Sequence, residues 1–389
     1  MHLENKNILI ILDYGALGGA QRQALGLAKY LVEEKKCVVD LMLVHSDFES
    51  TEFTEFKKKS KIRNTFHIHN AYFYLPYEFS IKNLKRIKWI LSYLYQLRKT
   101  LINKNYALTI PYLNKTSKVA FLIYKLLPSV KTTFWHQLGL DFLTNDLIEK
   151  YIAKNIPFVI GNAPNCFDIF KNEYPIATSK LHLLPQYLTL DVINKDKTKV
   201  KKELEIPTNT IVVGMIAHYR KDKYFDLLLD AFFEVLKVSK ENIYLVILGN
   251  KDNDDTSLEI YKNLKNKVLE NNVANNVSIL SNIEVSDILN ILDIAVLVSQ
   301  IEGMPNSVME YMAYGIPSIV SNHPGCKQLL EDSEYLIENN QKILEEKLLK
   351  LIKNKEERIK EGNLNLARIK KFNLPSYVEN FDDILSQYI

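Results

Sequence analysis

The chain has 389 residues, of which 47% are hydrophobic and 25% charged, and its formal net charge is +4. The composition is that of a globular protein, and the length predicts two domains of about 190 residues because a single hydrophobic core rarely grows so large. The small net charge gives no reason to expect nucleic acid as a partner. Three widely spaced cysteines, Cys37, Cys166 and Cys326, lack metal-ligand spacing and favour a reducing compartment without disulfides.

The N-terminal half begins with an apolar strand at Asn7–Leu12, whose short length distinguishes it from the apolar segment of a signal peptide. A glycine-rich loop, an amphipathic helix at Gln21–Glu34 and a second strand at Cys37–Val44 follow. This order predicts a parallel sheet with right-handed crossovers. Further strands are predicted at Ala107–Ile110, Lys131–Trp135, Phe158–Gly161 and Lys180–Leu184.

A polar and charged stretch at Leu190–Lys202 predicts the linker to a second half built in the same way. Its predicted elements are, in order, strand Thr210–Ala217, helix Tyr224–Val238, strand Ile243–Leu248, strand Val277–Leu280, helix Val285–Leu292, strand Ile294–Val298 and a helix from Asn306 or Ser307. Each half is interpreted as an α/β, doubly wound domain. No window reaches the ~18 to 20 apolar residues of a membrane helix, so we expect a cytoplasmic protein, soluble or peripheral to a membrane.

The segment from Asp293 to Gly325 carries the clearest functional pattern, because Glu302 and Glu310 bracket a turn that follows an apolar strand. Ligands of parallel α/β sheets bind outside the carboxyl ends of the strands. The helix that begins after this turn offers unpaired backbone N–H groups to a phosphate, whereas carboxylates accept hydrogen bonds from hydroxyls. Phosphate together with hydroxyls indicates a nucleotide sugar.

The same segment resembles the signature of retaining GT-B glycosyltransferases, in particular glycosyltransferase family 4, the group 1 glycosyltransferases. The matching residues are Glu302-Gly303-Met304-Pro305-Asn306 and Glu310-Tyr311-Met312-Ala313-Tyr314-Gly315-Ile316-Pro317. The resemblance implies the GT-B architecture, two Rossmann-like doubly wound parallel-sheet domains facing across a cleft. Residues 1–192 would form the acceptor-side domain and residues 203–372 the donor-binding domain. A final helix at 373–389 would cross back onto the first domain, the alternative being an ordinary terminal helix of the second.

The resemblance also implies roles for this segment. Glu302 would contact the transferred sugar and Glu310 the ribose, and the remaining donor-binding residues would be Gly303, Met304, Pro305, Asn306, Ser307 and Val308. Residues Ser307 to Glu310 also fit a capping box, in which Glu310 would have only a structural role.

Arg220 and Lys223 follow the strand that ends near Ala217, in a segment similar to the family's Arg-x-x-Lys-Gly-x-Asp-Leu-Leu pattern, with Tyr224 in place of the frequent glycine. Two cations at a strand's carboxyl end can neutralise a departing diphosphate. The alternative is a solvated run of charges. Gly249 and Asn282 also follow strands and are candidates for the nucleotide pocket, where Ser281-Asn282 replaces the family's common Leu-Gly.

In the N-terminal half, Gly18 and Gly19 precede Arg22 and look like the family's Gly-Gly-Ala-Glu-Arg loop, which approaches the acceptor or the donor phosphate. The alternative is that these glycines merely permit positive φ in a turn. His136, which follows the predicted strand Lys131–Trp135, stands where the family often presents a histidine to the donor sugar, although a structural role is the alternative.

Residues 56–104 are rich in basic and aromatic residues, including Lys85, Arg86, Lys88, Arg98 and Lys99 near Trp89, Tyr93 and Tyr95. A helix of this composition can rest on an anionic membrane, at the inner face of the cell membrane. The alternative is an ordinary surface helix whose aromatic side chains pack inward.

The resemblance implies a retaining glycosyltransferase that moves a sugar from a UDP- or GDP-linked donor to a hydroxyl of a saccharide or lipid-linked acceptor. No Asp-x-Asp-type cluster follows an apolar strand, so no cofactor and no essential metal are expected, as in GT-B enzymes generally. The Lys-, Asn- and Ile-rich composition favours an AT-rich bacterial gene. For a bacterial glycosyltransferase, surface polysaccharide assembly is the expected setting by association. Two alternatives stay open, a GT-B-fold nucleotide-sugar epimerase and a non-catalytic scaffold that binds nucleotide sugars.

Overall fold

A computed structural model describes residues 3–68, 81–139, 144, 146–174, 176–250 and 255–389 of the chain. Residue contacts divide the chain into two compact units. Unit 1 contains Met1–Thr189 and Phe372–Ile389, and unit 2 contains Leu190–Lys371. Among the described residues, no helix combines the length and the apolar character needed to cross a membrane.

The elements of the first segment of unit 1 alternate between strands and helices. They are β1 (Asn7–Leu12), α1 (Gly19–Glu33), β2 (Val38–Leu43), α2 (Thr51–Lys59), β3 (Thr65–His67), α3 (Ile81–Leu101), β4 (Leu108–Pro111), α4 (Asn114–Leu126), β5 (Phe134–Gln137), α5 (Leu147–Asn155), β6 (Phe158–Gly161), α6 (Asp168–Asn172) and β7 (Leu181–Leu183).

Unit 2 repeats the alternation. Its elements are α7 (Lys197–Glu203), β8 (Ile211–Ile216), α8 (Phe225–Val238), β9 (Ile243–Leu248), α9 (Asp255–Glu270), β10 (Val277–Leu280), α10 (Val285–Ile291), β11 (Ile294–Leu297), α11 (Asn306–Ala313), β12 (Ser318–Ser321), α12 (Pro324–Leu330), β13 (Leu336–Ile337), α13 (Gln341–Lys353) and α14 (Lys355–Ile369). The last helix, α15 (Leu374–Leu385), returns to unit 1.

The strands of unit 1 are parallel and lie in the order β3-β2-β1-β4, with a second group in the order β5-β6-β7. A bridge between Leu108 and Thr132 joins the two groups. β1 is apolar from Ile8 to Leu12, as expected for a strand with both faces covered. Ile8 and Ile10 pack with α1 and α15, whereas Leu9 and Ile11 pack with α3 and α4.

Helix α15 packs into the core of unit 1 through a stripe of apolar residues with helical spacing. Val378, Phe381 and Leu385 are buried in the same cluster as α1 and β1. The Phe381 ring lies 5.5 Å from that of Phe134, and the Asp382 carboxylate accepts a hydrogen bond from the backbone N–H of Leu3 at 3.1 Å. The terminal aromatic pattern therefore forms part of the hydrophobic core of unit 1.

Unit 2 is one parallel sheet with the strand order β10-β9-β8-β11-β12-β13. The predicted strands of this half all form, with ends that differ by a residue or so. The predicted linker is not wholly irregular, because its charged residues from Lys197 onward form helix α7. Asp196 begins that helix by accepting hydrogen bonds from the N–H groups of Thr198 (2.8 Å) and Lys199 (3.1 Å), which is a strong N-cap.

Candidate functional site

The candidate site of unit 2 lies where the strand order reverses. The chain runs from β8 outward through β9 and β10 and then returns to β11 on the other side of β8. The carboxyl ends of β8 and β11 therefore bound a crevice, which is where open α/β sheets bind ligands. The loop after β8 carries Arg220 and Lys223, and the loop after β11 carries Glu302.

An ion pair joins these two loops. The Lys223 Nζ lies 2.5 Å from Glu302 Oε1, and the two side chains are only 13% and 11% exposed. Backbone hydrogen bonds fix the loops beside this pair, from Tyr224 N to Val298 O at 3.0 Å and from Gln300 N to Asp222 O at 2.7 Å. The structure thus brings together two predicted site residues that are far apart in sequence.

Asp222, which the sequence analysis missed, holds both predicted cations. Its carboxylate lies 2.9 Å from Arg220 Nε and 3.3 Å from Lys223 Nζ. Arg220 is 61% exposed, so its guanidinium reaches solvent while its Nε is held in place. The only sequence signal for this role was an acid between the two cations, and such an acid is also common in solvated loops.

Helix α11 begins without a side-chain cap. Its N-cap is Pro305, with no side-chain hydrogen bond to the helix. The capping box considered for Ser307 and Glu310 is therefore wrong, because Ser307 already lies inside the helix. The N–H groups of residues 306–308 have no acceptor one turn earlier in the helix, so they present the positive end of the helix dipole. Glu310 is 5% exposed in the middle of α11.

The loop that carries Glu302 is packed against the start of α12. A Cβ built on Gly325 would lie 1.7 Å from the carbonyl oxygen of Gly303 and 3.0 Å from the nitrogen of Met304. Any larger residue at 325 must push this loop away. Gly325 is therefore required for the close approach of two backbones beside the Lys223–Glu302 pair.

The polar side chains of Asn339, His323 and Ser321 contact the backbone of Ser299, just after β11. The Ser299 carbonyl accepts hydrogen bonds from Asn339 Nδ2 at 2.8 Å and lies 3.0 Å from His323 Nε2. Ser321 Oγ accepts from the Ser299 N–H at 2.9 Å. These contacts orient the backbone that leads to Glu302. Asn339 is remote in sequence, and no pattern indicated its role.

Gly249 and Asn282 lie at the carboxyl ends of β9 and β10. A Cβ on Gly249 would lie 2.5 Å from the Ala217 carbonyl oxygen, so only glycine fits without a shift. Asn282 has φ +60°, the left-handed conformation that asparagine adopts more readily than most residues. Asn282 therefore adopts a backbone conformation that glycine would also adopt without strain.

In unit 1, Gly18 is the N-cap of α1 and Gly19 is its first residue. Gly18 has φ −123°, an extended conformation open to any residue. Positive φ does not explain Gly18, so that alternative is wrong for this residue. A Cβ on Gly18 would lie 3.0 Å from Gln21 Oε1, the movable end of a side chain.

His136 lies inside β5 instead of following it, because β5 begins and ends later than predicted. Its ring is buried, which lowers the pKa to about 4. The Nδ1 atom is 2.8 Å from the Pro111 carbonyl oxygen, and the backbone N–H donates to Ser117 Oγ at 3.0 Å. A carbonyl can only accept, so neutral His136 carries its proton on Nδ1.

The basic and aromatic helix is α3, and residues 69–80 of the predicted stretch lie outside the described residues. Tyr93 packs inward at 4% exposure, but Trp89 and Tyr95 are 61% and 66% exposed. The inward-packing alternative therefore holds for one of the three aromatic residues. Arg98 donates to the carbonyl of Leu126, the last residue of α4, at 2.9 Å. A cation at a helix C-terminus is a favourable interaction.

The chain is similar in sequence and fold to known proteins. Residues 196–363 match the family model described as Glycosyl transferases group 1. Mannosylfructose-phosphate synthase from Agrobacterium fabrum is 24% identical over 207 residues, which make up 51% of this chain and 44% of that protein. The match therefore spans less than half the length of that relative.

Solved structures share the fold over nearly the whole chain. HepE from Anabaena, in complex with UDP, matches with a TM-score of 0.78 at 15% identity, covering 98% of this chain and 100% of that one. Sucrose-phosphate synthase from Thermosynechococcus elongatus matches with a TM-score of 0.74 at 16% identity, covering 98% of each chain. The predicted fold class, GT-B with two Rossmann-like parallel-sheet domains, is confirmed.

Proposed function

We propose, from the match of residues 196–363 in unit 2 to the Glycosyl transferases group 1 family model, that the protein is a retaining glycosyltransferase. It moves a sugar from a UDP- or GDP-linked donor to a hydroxyl of a saccharide or lipid-linked acceptor. The observation that carries this proposal is the Lys223–Glu302 pair at 2.5 Å across the β8–β11 crevice, beside the uncapped start of α11.

The donor diphosphate is bound by positive charge from three sources. Lys223 and Arg220 supply side-chain cations, and the N–H groups of residues 306–308 supply the helix dipole. Negative charge grows on the diphosphate as the bond to the sugar breaks, so fixed donors stabilise the transition state more than the ground state. No essential metal is then required, since protein cations neutralise the leaving group.

The two glutamates bind hydroxyls on either side of the diphosphate. Lys223 neutralises Glu302, which lets this carboxylate stand near phosphate and accept hydrogen bonds from the transferred sugar. Glu310, buried in α11, accepts hydrogen bonds from the ribose. Gly249 and Asn282 border the base, with Gly303, Met304 and Pro305 forming the turn between sugar and phosphate.

Retention follows from substitution on one face of the sugar. The bond between the anomeric carbon and the phosphate oxygen breaks, and the acceptor oxygen bonds to the same face. The acceptor proton passes to the leaving phosphate oxygen, so no separate protein base is needed. Exclusion of water limits hydrolysis of the donor.

Unit 1 is the acceptor side in this proposal, with Gly18 and Gly19 at the start of α1 and His136 on β5. Burial lowers the pKa of His136, which keeps the ring neutral at pH 7. Because Nδ1 donates to Pro111, Nε2 has the lone pair needed to accept a hydrogen bond from a sugar hydroxyl.

Peripheral contact with an anionic membrane would bring a lipid-linked acceptor to the enzyme, at the inner face of a bacterial membrane during polysaccharide assembly. Helix α3 supports this because it contains no acidic residue and exposes Trp89, Leu91 and Tyr95 beside lysines. Sedimentation with phosphatidylglycerol vesicles should be lost in Trp89→Ala and kept in Tyr151→Ala, which removes an equally exposed ring from α5. Equal sedimentation of both variants would remove this part of the proposal.

A thermal-shift screen with UDP, GDP, ADP and CMP, and with their common sugar conjugates, tests the donor site. One nucleoside diphosphate should raise the Tm by mass action, and Lys223→Met should abolish that shift. Lys347→Met is the matched control, since Lys347 is 17% exposed and pairs with Glu334 at 2.9 Å elsewhere in unit 2. Product analysis then separates a transferase from an epimerase, which would change the donor sugar without an acceptor. No shift with any nucleotide would contradict the proposal.

A further inference from the structure

Unit 1 has a crevice equivalent in topology to the candidate site of unit 2. Its chain runs from β1 outward through β2 and β3 and returns to β4 on the other side of β1. The carboxyl ends of β1 and β4 therefore flank the point where the strand order reverses, the favoured ligand position in a doubly wound sheet. The site residues predicted in this region were Gly18, Gly19 and, beside the end of β4, His136.

An ion pair crosses this crevice as well. The Lys115 Nζ, on the first turn of α4, lies 3.1 Å from Asp13 Oδ1, which directly follows β1. The same Nζ lies 3.1 Å from His45 Nδ1, which follows β2. The side chains of Lys115 and Asp13 are 35% and 22% exposed, and His45 is exposed, so this cluster opens to solvent.

An unusual backbone conformation places Lys115. Leu113, immediately before α4, has φ +77° and ψ 169°, a region populated essentially by glycine alone. Hydroxyl donors hold this turn in place, because the Leu113 carbonyl accepts from Thr116 Oγ1 at 3.0 Å and from Ser117 Oγ at 2.8 Å. Strain of this kind occurs mostly at functional sites, and here it determines where α4 begins.

Aromatic side chains flank the cluster on two adjacent loops. Tyr14 is 41% exposed and Phe48 is 63% exposed. The loops are joined by a bridge between Gly15 and Glu49 and by a hydrogen bond from His45 N to Asp13 O at 2.7 Å. Exposed aromatic surface beside a few convergent polar groups is typical of a small-molecule site.

We propose that Asp13, Lys115 and His45 form a saccharide-binding cluster that recognises neighbouring hydroxyls of the acceptor. Each sugar hydroxyl can donate to the Asp13 carboxylate and accept from the Lys115 ammonium, and the His45 ring can serve in either role. The description of this sugar as the acceptor rests on the proposed function, whereas saccharide binding itself does not.

The cluster favours a neutral sugar over a phosphorylated one. Lys115 is already paired with Asp13, so an incoming phosphate would meet a carboxylate beside the only lysine of the cluster. The Asp13–Lys115 pair carries no net charge. Neutral hydroxyls gain hydrogen bonds from both partners without separating the pair.

Binding is tested with methyl α-glucopyranoside, methyl α-galactopyranoside and methyl α-mannopyranoside, and with inorganic phosphate as the anionic probe. The titration follows the ring 1H–13C NMR signal of His45, assigned by its loss in His45→Asn. At least one glycoside should shift this signal, with a Kd raised about ten-fold or more in Asp13→Asn and in Lys115→Met, as expected for lost hydrogen bonds to charged groups. Lys61→Met is the control, since the Lys61–Glu33 pair at 3.0 Å joins α1 to the turn after α2.

Three results would overturn the inference: no response to any glycoside, equal Kd values in Asp13→Asn, Lys115→Met and Lys61→Met, or binding of phosphate that Asp13→Asn strengthens. The last result would identify an anion site. Failure of the proposed function is distinguishable, because it appears as absent nucleotide binding in unit 2 while glycosides still shift His45.

Discussion

Gly325→Ala tests whether close backbone packing determines the position of Glu302 in its ion pair with Lys223. The new Cβ would lie 1.7 Å from the Gly303 carbonyl oxygen. An ordinary C···O contact is about 3.3 Å, so the two backbones must separate by roughly 1.6 Å. Overpacking of this kind costs about 1–3 kcal/mol of stability. A 1 Å misplacement in an active site can lower the rate by about 100-fold.

The assay measures kcat for transfer from the donor identified by the nucleotide screen, together with the free energy of unfolding in urea. Gly362→Ala is the matched control, because its Cβ would lie 2.1 Å from the Gly315 carbonyl oxygen, beyond the other end of α11. Both variants should lose stability, but only Gly325→Ala should lose about 100-fold in kcat. A Gly325→Ala enzyme with kcat within two-fold of the Gly362→Ala enzyme would refute the reasoning.

Three further predictions concern unit 1. Burial lowers the pKa of His136 from 6.5 to about 4, so the neutral ring stabilises the fold fully above pH 6.5. The unfolding free energy should fall by about 3 kcal/mol as the pH drops towards 4. Urea unfolding should find this pH dependence reduced in His136→Asn. Lys118→Met should cost about 3–5 kcal/mol of unfolding free energy, because it leaves Glu149, paired at 2.8 Å and 1% exposed, without its cation. Lys61→Met removes an exposed pair and should cost far less, and equal losses would contradict this. Leu113→Gly should raise the unfolding free energy by about 0.5–2 kcal/mol, because relief of about 1–3 kcal/mol of backbone strain exceeds the roughly 0.5–1 kcal/mol of added chain entropy, and a loss of stability would contradict this.

The features that could be predicted from the sequence are those that depend on residues close together in the chain. The apolar strands and the segment that carries Glu302 and Glu310 could be read because alternating apolar runs, turns and helix starts depend on neighbouring residues. Lys223 was identified together with Glu302, but their contact at 2.5 Å was not predicted, since 78 residues lie between them. The order of strands supplies that contact, and a single sequence does not reveal strand order.

Two kinds of feature escaped prediction for physical reasons. Asn339 and Asp222 act through hydrogen bonds to backbone or to other side chains, and such partners are set by tertiary packing. Leu113 escaped because nothing in its side chain indicates φ +77°, a conformation that sequence rules assign to glycine. The capping box was wrong for a related reason, since Pro305 starts α11 before Ser307 can act as its cap.

Each unit has an ion pair between the loops at the point where its strand order reverses. Where the strand order reverses, no crossover helix covers the carboxyl ends of the two central strands, so the loops on either side face each other. Opposite charges on those loops stabilise the gap between them, as with Lys223 and Glu302 in unit 2 and with Lys115 and Asp13 in unit 1. Each pair holds a donor and an acceptor of hydrogen bonds a few ångströms apart, which matches the hydroxyls of a sugar better than it matches an isolated anion. In the proposed roles, unit 2 adds Arg220 and an uncapped helix start suited to phosphate, whereas unit 1 adds exposed aromatic rings suited to a neutral saccharide.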